Sequence, residues 1–354
     1  MISRVDNLRK EMIKEDIGSF LITSSYNLRY LTGFTGTTGI ALITLEEAFF
    51  ITDFRYTEQA TTQCKGYKVV QNFGPIFDVV ADLVEEKKLE TLAFEEALVS
   101  FKEYVQLEMI MEADLIPVSG MIEELREIKD ESEVKIIEKA CEIADKAFSH
   151  ILTYIKPGMT EIQVANELDF YMRNLGASGV SFETIVASGL RSAMPHGVAS
   201  EKVIEQGDFI TIDFGCYYQG YVSDMTRTIS LGEPNQKLKE IYQIVKEAQQ
   251  KVLDVAKPGM TGAELDAVAR DYIESKGYGE AFGHSTGHGI GLEIHEGPNV
   301  SKMAEKAFVS GNVITNEPGI YLPGIGGVRI EDDMLVTDNG IKRLTHSEKE
   351  LIIL

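Results

Sequence analysis

The sequence is short of positive charge and of cysteine. It contains 34 lysines and arginines against 56 aspartates and glutamates, so its formal net charge is −22. Because such a surface repels phosphate backbones, we expect no nucleic-acid partner, whereas the excess of carboxylates is compatible with binding cations. The three cysteines, at positions 64, 141 and 216, follow no paired or metal-binding spacing. They therefore predict neither a disulfide framework nor a thiolate zinc site.

Long hydrophobic runs are also absent. No stretch approaches the ~18 consecutive apolar residues that a membrane-spanning helix needs. Residues 1–18 lack the apolar core and the small-residue cleavage site of a secretory signal. We therefore expect a soluble, cytoplasmic protein with no membrane partner. A content of 44% hydrophobic and 25% charged residues is ordinary for a globular chain, and 354 residues allow two domains or one large one.

The first third of the chain has the pattern of a small α/β domain. Apolar residues at helical spacing predict a helix over 3–17, which Gly18 would end. Short β runs follow at 19–25, 39–44 and 48–53. Alternation of helix and strand patterns continues to residue 118, and turn-forming residues at 117–120 mark a boundary. We predict an N-terminal domain over residues 1–122 and a second domain over 123–354.

The second domain repeats a part of its own sequence. The pentapeptide KPGMT occurs at 156–160 and again at 257–261, an offset of 257 − 156 = 101 residues. Both copies continue with a helix-capping box, Thr160 with Gln163 and Thr261 with Glu264. A long helix is also predicted before the first copy, capped by Asp130. The repeat indicates an internal duplication, with two halves about a pseudo-twofold axis and a site in the cleft between them.

Acidic residues occur at intervals within the predicted strands of the second domain. Asp213 and Asp224 lie in two successive strand patterns, and a hairpin would place them side by side. Two carboxylates in contact repel each other unless a cation or a shared proton lies between them. The pattern therefore favours a site that binds a positive charge.

Two further acids follow later in the chain. Glu317 ends an apolar segment, and Glu331 follows Arg329 by two residues on the same face of a predicted strand. Asp332 and Asp333 are interpreted as solvated turn charges.

Three of the six histidines fall within twelve residues, His284, His288 and His295, in a glycine-rich segment. No glutamate follows His284 directly, so the helical HExxH zinc motif does not apply. Four carboxylates with one imidazole suit manganese, cobalt, iron or catalytic zinc better than calcium or structural zinc. Two divalent cations would balance the charge of four carboxylates.

The order Asp213, Asp224, His288, Glu317 and Glu331 resembles the metal-ligand series of the pita-bread metallopeptidases. That family includes methionine aminopeptidase, aminopeptidase P, prolidase and the metal-free creatinase. Segments 186–189, 195–197, 223–228, 317–321 and 327–332 are similar to its proline-directed branch, and segments 27–34 and 53–56 resemble the creatinase-type N-terminal domain. The resemblance implies an α+β fold, with a duplicated pita-bread C-terminal domain after a smaller α/β domain.

The resemblance also implies a mechanism. Two divalent metals, manganese or cobalt rather than zinc or iron, would be bound by the five residues of the series. A hydroxide between them would attack the carbonyl of an Xaa-Pro bond, with Glu317 as general acid–base and His295 stabilising the oxyanion. His196 would act near the scissile bond, and His284 would line the proline-side pocket. Arg329 would orient the metal ligands and the substrate, or serve only as a counter-ion.

Xaa-Pro aminopeptidase is the first function that the resemblance implies, acting on peptides with proline at the second position. Xaa-Pro dipeptidase is the alternative, and the two differ in whether the proline-side pocket is open. A methionine aminopeptidase-like enzyme and a non-catalytic binding module are more remote alternatives. A homodimer is expected by analogy. Asn316 departs from the apolar or acidic residue that relatives often carry, and we expect it to face away from the metals.

Overall fold

The computed structural model describes residues 3–354 and divides into two compact units, Met1–Arg126 and Glu127–Leu354. Both units combine helices with β-sheets, as the α+β expectation requires. None of the helices within residues 3–354 is long and apolar enough to cross a membrane. The predicted boundary after residue 122 stays a prediction.

The first unit is built on one six-stranded sheet with the order β4-β3-β2-β1-β5-β6. Its strands are β1 Ser19–Ile22, β2 Ile40–Thr44, β3 Ala48–Thr52, β4 Lys68–Gln71, β5 Thr91–Glu95 and β6 Asp114–Val118. Its helices are α1 Arg4–Lys14, α2 Ser25–Thr32, α3 Thr57–Gln63, α4 Ile76–Lys87, α5 Phe101–Ile110 and α6 Met121–Arg126. The helix predicted over 3–17 is therefore present as α1, which Ser3 and Asp6 cap reciprocally.

The second unit carries two helix pairs and four smaller sheets. Its helices are α7 Glu131–Tyr154, α8 Glu161–Asn174, α9 Gln236–Val255 and α10 Gly262–Ser275, with 3₁₀ turns at Gly189–Ala193 and Gly279–Ala281. Its strands are β7 Gly179–Val180, β8 Ile185–Ser188, β9 Phe209–Phe214, β10 Cys216–Tyr218, β11 Tyr221–Val222, β12 Met225–Ser230, β13 Gly287–Gly289, β14 Glu296–Val300, β15 Val313–Asn316, β16 Gly319–Leu322, β17 Gly326–Arg329, β18 Asp332–Thr337 and β19 Gly340–Arg343.

The sequence duplication corresponds to a structural one. Helices α8 and α10 begin and end at positions 101 residues apart, and the predicted capping boxes of Thr160 and Thr261 are both present. Each Pro-Gly turn is fixed in the same way, because Gly158 N–H donates to the Ile204 carbonyl at 2.9 Å and Gly259 N–H to the Phe308 carbonyl at 2.8 Å. The predicted duplication is therefore confirmed at the level of helices, caps and turns.

Each helix pair covers its own sheet. Apolar residues of α7 and α8 form one core with β8, β9 and β12, and those of α9 and α10 form a second core with β15, β17 and β18. The first sheet has the order β12-β9-β8, and the second has the order β14-β13-β15-β18-β19. Burial of these apolar faces is the main stabilising contribution of the unit, and it leaves the polar strand ends to build a site.

The interpretation of Asp332 and Asp333 as solvated turn charges is wrong. Both residues are fully buried, because β18 begins at Asp332 instead of a turn. Asp332 accepts from Arg227 Nη2 at 2.7 Å and lies 3.1 Å from Lys349 Nζ. Burial alone would raise the pKa of Asp332, but Arg227 and Lys349 hold that pKa below its ordinary value.

We predict that Asp332→Ala lowers the free energy of unfolding by about 3–5 kcal/mol, because it leaves the buried Arg227 guanidinium without its carboxylate. Urea denaturation with a metal chelator present would measure the loss. Asp338→Ala, at an exposed position just after the same strand, is the control and should change the value by less than about 0.5 kcal/mol. Equal losses of unfolding free energy in the two variants would contradict the assignment of Asp332 as the buried partner of Arg227.

Candidate metal centre and active site

The four predicted acidic ligands meet at the ends of strands in the second unit. Asp213 lies in β9, and Asp224 lies directly before β12. The expected hairpin forms, but its register places Thr226 opposite Asp213, and Asp224 lies beside that pair. Glu317 follows β15, and Glu331 lies in the two-residue junction between β17 and β18 rather than in a strand as predicted.

Arg329 and Thr226 hold two of these carboxylates in place. Arg329 Nη2 donates to Asp213 Oδ2 at 2.6 Å, and its Nε donates to Thr226 Oγ1 at 3.1 Å. Thr226 Oγ1 in turn donates to Glu331 Oε2 at 2.6 Å. One buried chain of hydrogen bonds therefore runs from Asp213 to Glu331, and Arg329 contacts an acid of the cluster directly.

His288 presents one ring nitrogen to the acids. Its Nδ1 lies 3.1 Å from the Gly289 carbonyl oxygen, which can only accept, so the proton is assigned to Nδ1. Nε2 is then free as a ligand, 3.4 Å from Glu317 Oε1 and 3.7 Å from Asp224 Oδ2. Burial lowers the pKa of His288 to about 4, so the ring is neutral near pH 7.

The acids themselves are strongly perturbed. Burial, followed by repulsion from Glu331 and Asp213, raises the pKa of Asp224 well above its ordinary value. Burial, followed by repulsion from Glu317 and Asp213, does the same to the pKa of Glu331. Burial raises the pKa of Glu317 to about 8, although Arg329 opposes the shift. In the absence of a cation the protein alone therefore cannot keep the whole cluster ionised at neutral pH.

The donor set fits a divalent metal. Ligand atoms of Asp224, His288 and Glu331 all lie within 4.8 Å of one another. Within residues 3–354, Asp213 Oδ1 and Asp224 Oδ1 are buried oxygens without a hydrogen-bond partner. Buried acceptors of this kind are costly unless a proton or a cation reaches them. Carboxylate oxygens with one imidazole nitrogen are ligands that first-row divalent cations accept.

The cluster lies in a cavity of about 630 Å³. All of the predicted site residues line it: Asp213, Asp224, His288, Glu317 and Glu331, together with His196, His284, His295 and Arg329. Apolar walls come from Phe182, Ile185 and Ile294. This volume suits a small peptide with few residues, because ligand cavities of roughly 300–1,000 Å³ hold small molecules.

The cavity histidines differ in their surroundings. His284 Nδ1 lies 2.8 Å from the Ser285 carbonyl oxygen, and its Nε2 lies 2.8 Å from Tyr321 Oη. Burial, reinforced by Arg329, lowers the pKa of His284 to about 4, so this ring is also neutral. His295 lies against His288 with ring centroids 4.4 Å apart.

The sequence reasoning missed three residues of the site. Tyr321 Oη accepts from Arg329 Nη1 at 2.7 Å, and Thr226 links two acids. Thr315 Oγ1 donates to Glu317 Oε1 at 3.2 Å. Each lies at an even spacing from a predicted ligand, a signal that could have found them: Thr226 is two residues after Asp224, Thr315 two before Glu317 and Tyr321 four after it. Asn316 is buried outside the cavity, where its Nδ2 donates to the Gln249 carbonyl at 2.9 Å, in agreement with the expectation.

Comparison with known proteins places this chain in a family. A model of metallopeptidase family M24 matches residues 135–338, which is more than half of the chain. A model of the creatinase/prolidase N-terminal domain matches residues 4–128. The chain belongs to metallopeptidase family M24. Membership confirms the expected fold class and a metal-dependent peptidase, while the identity of the metal stays a prediction.

This M24 peptidase is similar to known proteins over almost its whole length. The solved structure described as Xaa-Pro dipeptidase from Bacillus anthracis is 55% identical, with a TM-score of 0.98 and 99% of each chain covered. A protein named Xaa-Pro dipeptidase from Pyrococcus horikoshii is 45% identical over 357 residues, with 99% of each covered. The X-Pro aminopeptidase structure from Thermotoga maritima is 43% identical, with a TM-score of 0.91, covering 96% of this chain and 98% of that one.

We predict that the metal-free M24 peptidase loses stability as pH rises from about 7 to 8. The folded-state pKa of Glu317 is about 8 against an ordinary value of 4.5, so the folded protein holds a proton that the unfolded chain has lost. Stability then falls with pH, by up to about 1.4 kcal/mol per pH unit for each such proton. His284 and His288 oppose this slope near pH 6.5, because the unfolded imidazoles are still partly protonated there while the folded ones are neutral, but this contribution fades above about pH 7.

Thermal unfolding with a chelator, at several pH values in this window, measures the slope. Added manganese should flatten it, because the bound cation replaces the protons on the carboxylates. Glu317→Gln should reduce the metal-free slope, since it removes one of the titrating groups. A metal-free melting temperature that stays constant or rises across the window would contradict the prediction.

Proposed function

We propose that this M24 peptidase is an Xaa-Pro dipeptidase that uses two divalent metal ions. The observation that carries the reaction class is the set of three buried acids, one half-buried acid and one neutral histidine that line the same cavity. The similarity of the whole chain to proteins described as Xaa-Pro dipeptidases supports the choice of substrate. The aminopeptidase that the sequence first implied is less well supported by these relatives.

The substrate chemistry explains why such a cavity is needed. An Xaa-Pro bond has a tertiary amide without an N–H, so a peptidase that binds its substrate as an extended strand loses one hydrogen bond there. A cavity with apolar walls can hold the proline ring without that bond. Phe182, Ile185 and Ile294 supply apolar surface next to the acids. The acidic groups can hold the free amine of the first residue.

Asp213, Asp224, His288, Glu317 and Glu331 would hold the metals. A pair of divalent cations bound there would activate water and neutralise the negative charge that develops on the carbonyl oxygen. Manganese or cobalt is proposed because the set is rich in carboxylates and contains a single imidazole. Zinc and iron are the alternatives.

Glu317 is proposed as the group that moves the proton. Its Oε1 accepts from Thr315, while its Oε2 lies 4.0 Å from His284 Nδ1 on the cavity side. In its ionised form it can take a proton from water and deliver it to the proline nitrogen as the bond breaks. His295 would donate to the developing oxyanion, and His196 would contact the substrate near the scissile bond.

His284 and Arg329 have more static roles in this proposal. Neutral His284 lines the proline side of the cavity and is oriented by Tyr321. Arg329 keeps Asp213 in position and keeps the pKa of Glu317 from rising further. These contacts support a role for Arg329 as an orienting group and counter-ion. Its guanidinium would lie next to the substrate but donate its hydrogen bonds to protein side chains.

We predict that the manganese-loaded protein cleaves Xaa-Pro dipeptides and leaves Xaa-Pro-Yaa tripeptides intact. Release of free proline, measured by chromatography, is the readout, and Met-Ala-Ser is the control peptide. Cleavage of the tripeptides with release of only the first residue would favour the aminopeptidase, which the similarity to the Thermotoga maritima protein keeps as the second candidate. Cleavage of Met-Ala-Ser alone would overturn both.

We predict that Glu317→Gln lowers kcat by about 100-fold or more, because an amide cannot accept the proton of water. The expected change is in kcat under saturating manganese. Glu293→Gln, which changes a glutamate between β13 and β14 that does not line the cavity, is the matched control and should keep kcat. Full turnover by the Glu317 variant would refute the assigned role.

A homodimer and a cytoplasmic location stay part of the proposal. Sedimentation of the purified protein, which measures its mass in solution, tests whether it is a homodimer. Peptides with proline at the second position are the proposed partners, and the net charge of −22 supports the expectation that nucleic acid is not one.

A further inference from the structure

Glu161 is a fully buried carboxylate that does not line the cavity and belongs to none of the predicted sites. It is the first residue of α8. Its Oε1 accepts from the Ser188 N–H at 2.7 Å and from Ser188 Oγ at 2.9 Å. Its Oε2 accepts from the Ser200 N–H at 3.1 Å and from Ser200 Oγ at 2.7 Å. One carboxylate therefore holds both ends of the segment 188–200.

The segment 188–200 carries His196 to the cavity. Between its fixed ends, Arg191 pairs with Glu161 through Nη1, and its Nη2 donates to the Val198 carbonyl at 2.9 Å. His196 itself is exposed on the cavity side and lines the cavity. Its position therefore depends on the segment, and the position of the segment depends on Glu161.

Asp266 makes the equivalent arrangement in the other half. This fully buried residue of α10 accepts from the Thr286 N–H at 3.1 Å and from Thr286 Oγ1 at 2.8 Å. It also binds Arg270, whose Nη2 donates to the His284 carbonyl at 2.8 Å and whose Nη1 donates to the Phe282 carbonyl at 3.0 Å. The segment 282–286, which carries His284, is therefore held by an acid and an arginine.

The two carboxylates are not copies of each other under the sequence repeat. The position equivalent to Glu161 is 161 + 101 = 262, which is glycine. A Cβ atom at Gly262 would fall against the Asn299 carbonyl oxygen and lie 2.6 Å from the Ala304 Cβ, so no side chain fits there. Asp266 lies four residues later, on the same face of the helix. The second half thus places its acid one helical turn further along.

We propose that Glu161 and Asp266 are positioning residues that set substrate binding by holding His196 and His284 at the cavity. The inference rests on the proposed function, because it assigns the two histidines to substrate contacts. It goes beyond that function in naming two residues that touch neither the cavity nor the acid cluster. The alternative role for both carboxylates is general stabilisation of the fold.

A double-mutant cycle separates these roles. Glu161→Gln should raise KM for an Xaa-Pro dipeptide roughly tenfold, as expected for loss of a charge-assisted hydrogen bond, with a smaller change in kcat. In a His196→Ala background the same change should have almost no effect on KM, since the histidine that it positions is gone. In a His284→Ala background it should keep its full effect. An effect on KM of the same size in the His196→Ala background would overturn the proposal.

Asp266→Asn is tested in the same way against His284→Ala. It should also lower kcat, because the Thr286 carbonyl accepts the Glu317 N–H at 2.8 Å. Arg191→Gln and Thr286→Val are milder second variants that each remove one partner of an acid, in case the primary variants do not fold. They should show the same couplings to His196 and His284 respectively. Full additivity with the histidine changes would overturn the proposal for that half.

Glu95→Gln is the matched control in the first unit. Glu95 is also buried, and it accepts from the Thr23 N–H at 2.6 Å and from the Ser24 N–H at 2.8 Å. Its loss should lower the melting temperature, as Glu161→Gln does, without changing KM. A rise in KM in this control equal to that of Glu161→Gln would show that general destabilisation is sufficient, and it would overturn the proposal.

Amide hydrogen exchange provides a readout that does not need activity. Glu161→Gln should speed exchange within 188–200 and leave 282–286 unchanged, and Asp266→Asn should do the reverse. Manganese affinity, measured by calorimetry, should stay within about threefold of the parent for Glu161→Gln. If the parent protein cleaves no Xaa-Pro peptide, the proposed function fails, while selective exchange would still support the positioning roles. Unchanged exchange in both segments would overturn them.

Discussion

Repulsion between buried carboxylates is the constraint on which the site depends. Asp213, Asp224 and Glu331 lie close enough to raise one another's energy when ionised, and burial prevents water from screening them. Arg329 contacts the cluster from one side only, through Asp213. One fixed positive charge is insufficient for four acids, so the cluster must hold either protons or cations. A fold that keeps these acids together is therefore a fold built to bind divalent metal.

Strand β12 shows how the surrounding protein meets this constraint. Successive side chains of a strand point to opposite faces, so alternate residues can serve different purposes. Thr228 Oγ1 donates to the Arg329 carbonyl at the end of β17, and Thr226 Oγ1 donates to Glu331 just beyond that strand. Arg227, between them, points to the other face and pairs with Asp332. The same strand thus orders the ligands on one side and neutralises a buried acid on the other.

Local signals in the sequence predicted what is determined locally. The capping boxes at Thr160 and Thr261 need only four consecutive residues, so they are readable without knowledge of the fold. The order of acids and histidines along the chain predicted which side chains line the cavity, because that order resembles a known ligand series. All nine predicted site residues line one cavity, although their individual roles are proposals.

The failures have a common physical cause, which is dependence on partners distant in sequence. Asp332 is buried because Arg227 and Lys349, from other segments, neutralise it, and nothing in the run of three acids indicates such partners. The register of β9 and β12 depends on the extra hairpin of β10 and β11, which lengthens the connection. Glu331 falls between two strands because β17 and β18 belong to different sheets.

The duplication separates the residues that build the scaffold from those that build the site. Helices, caps and Pro-Gly turns recur at the fixed offset, because they bury similar apolar faces against each sheet. The buried acids that hold the cavity-lining segments do not recur at that offset. Gly262 shows why: crowding by Asn299 and Ala304 leaves no room for a side chain where the first half has Glu161, so the acid appears at Asp266 instead. A repeated scaffold therefore does not force repeated chemistry, because each half can satisfy the same requirement from a different turn of its helix.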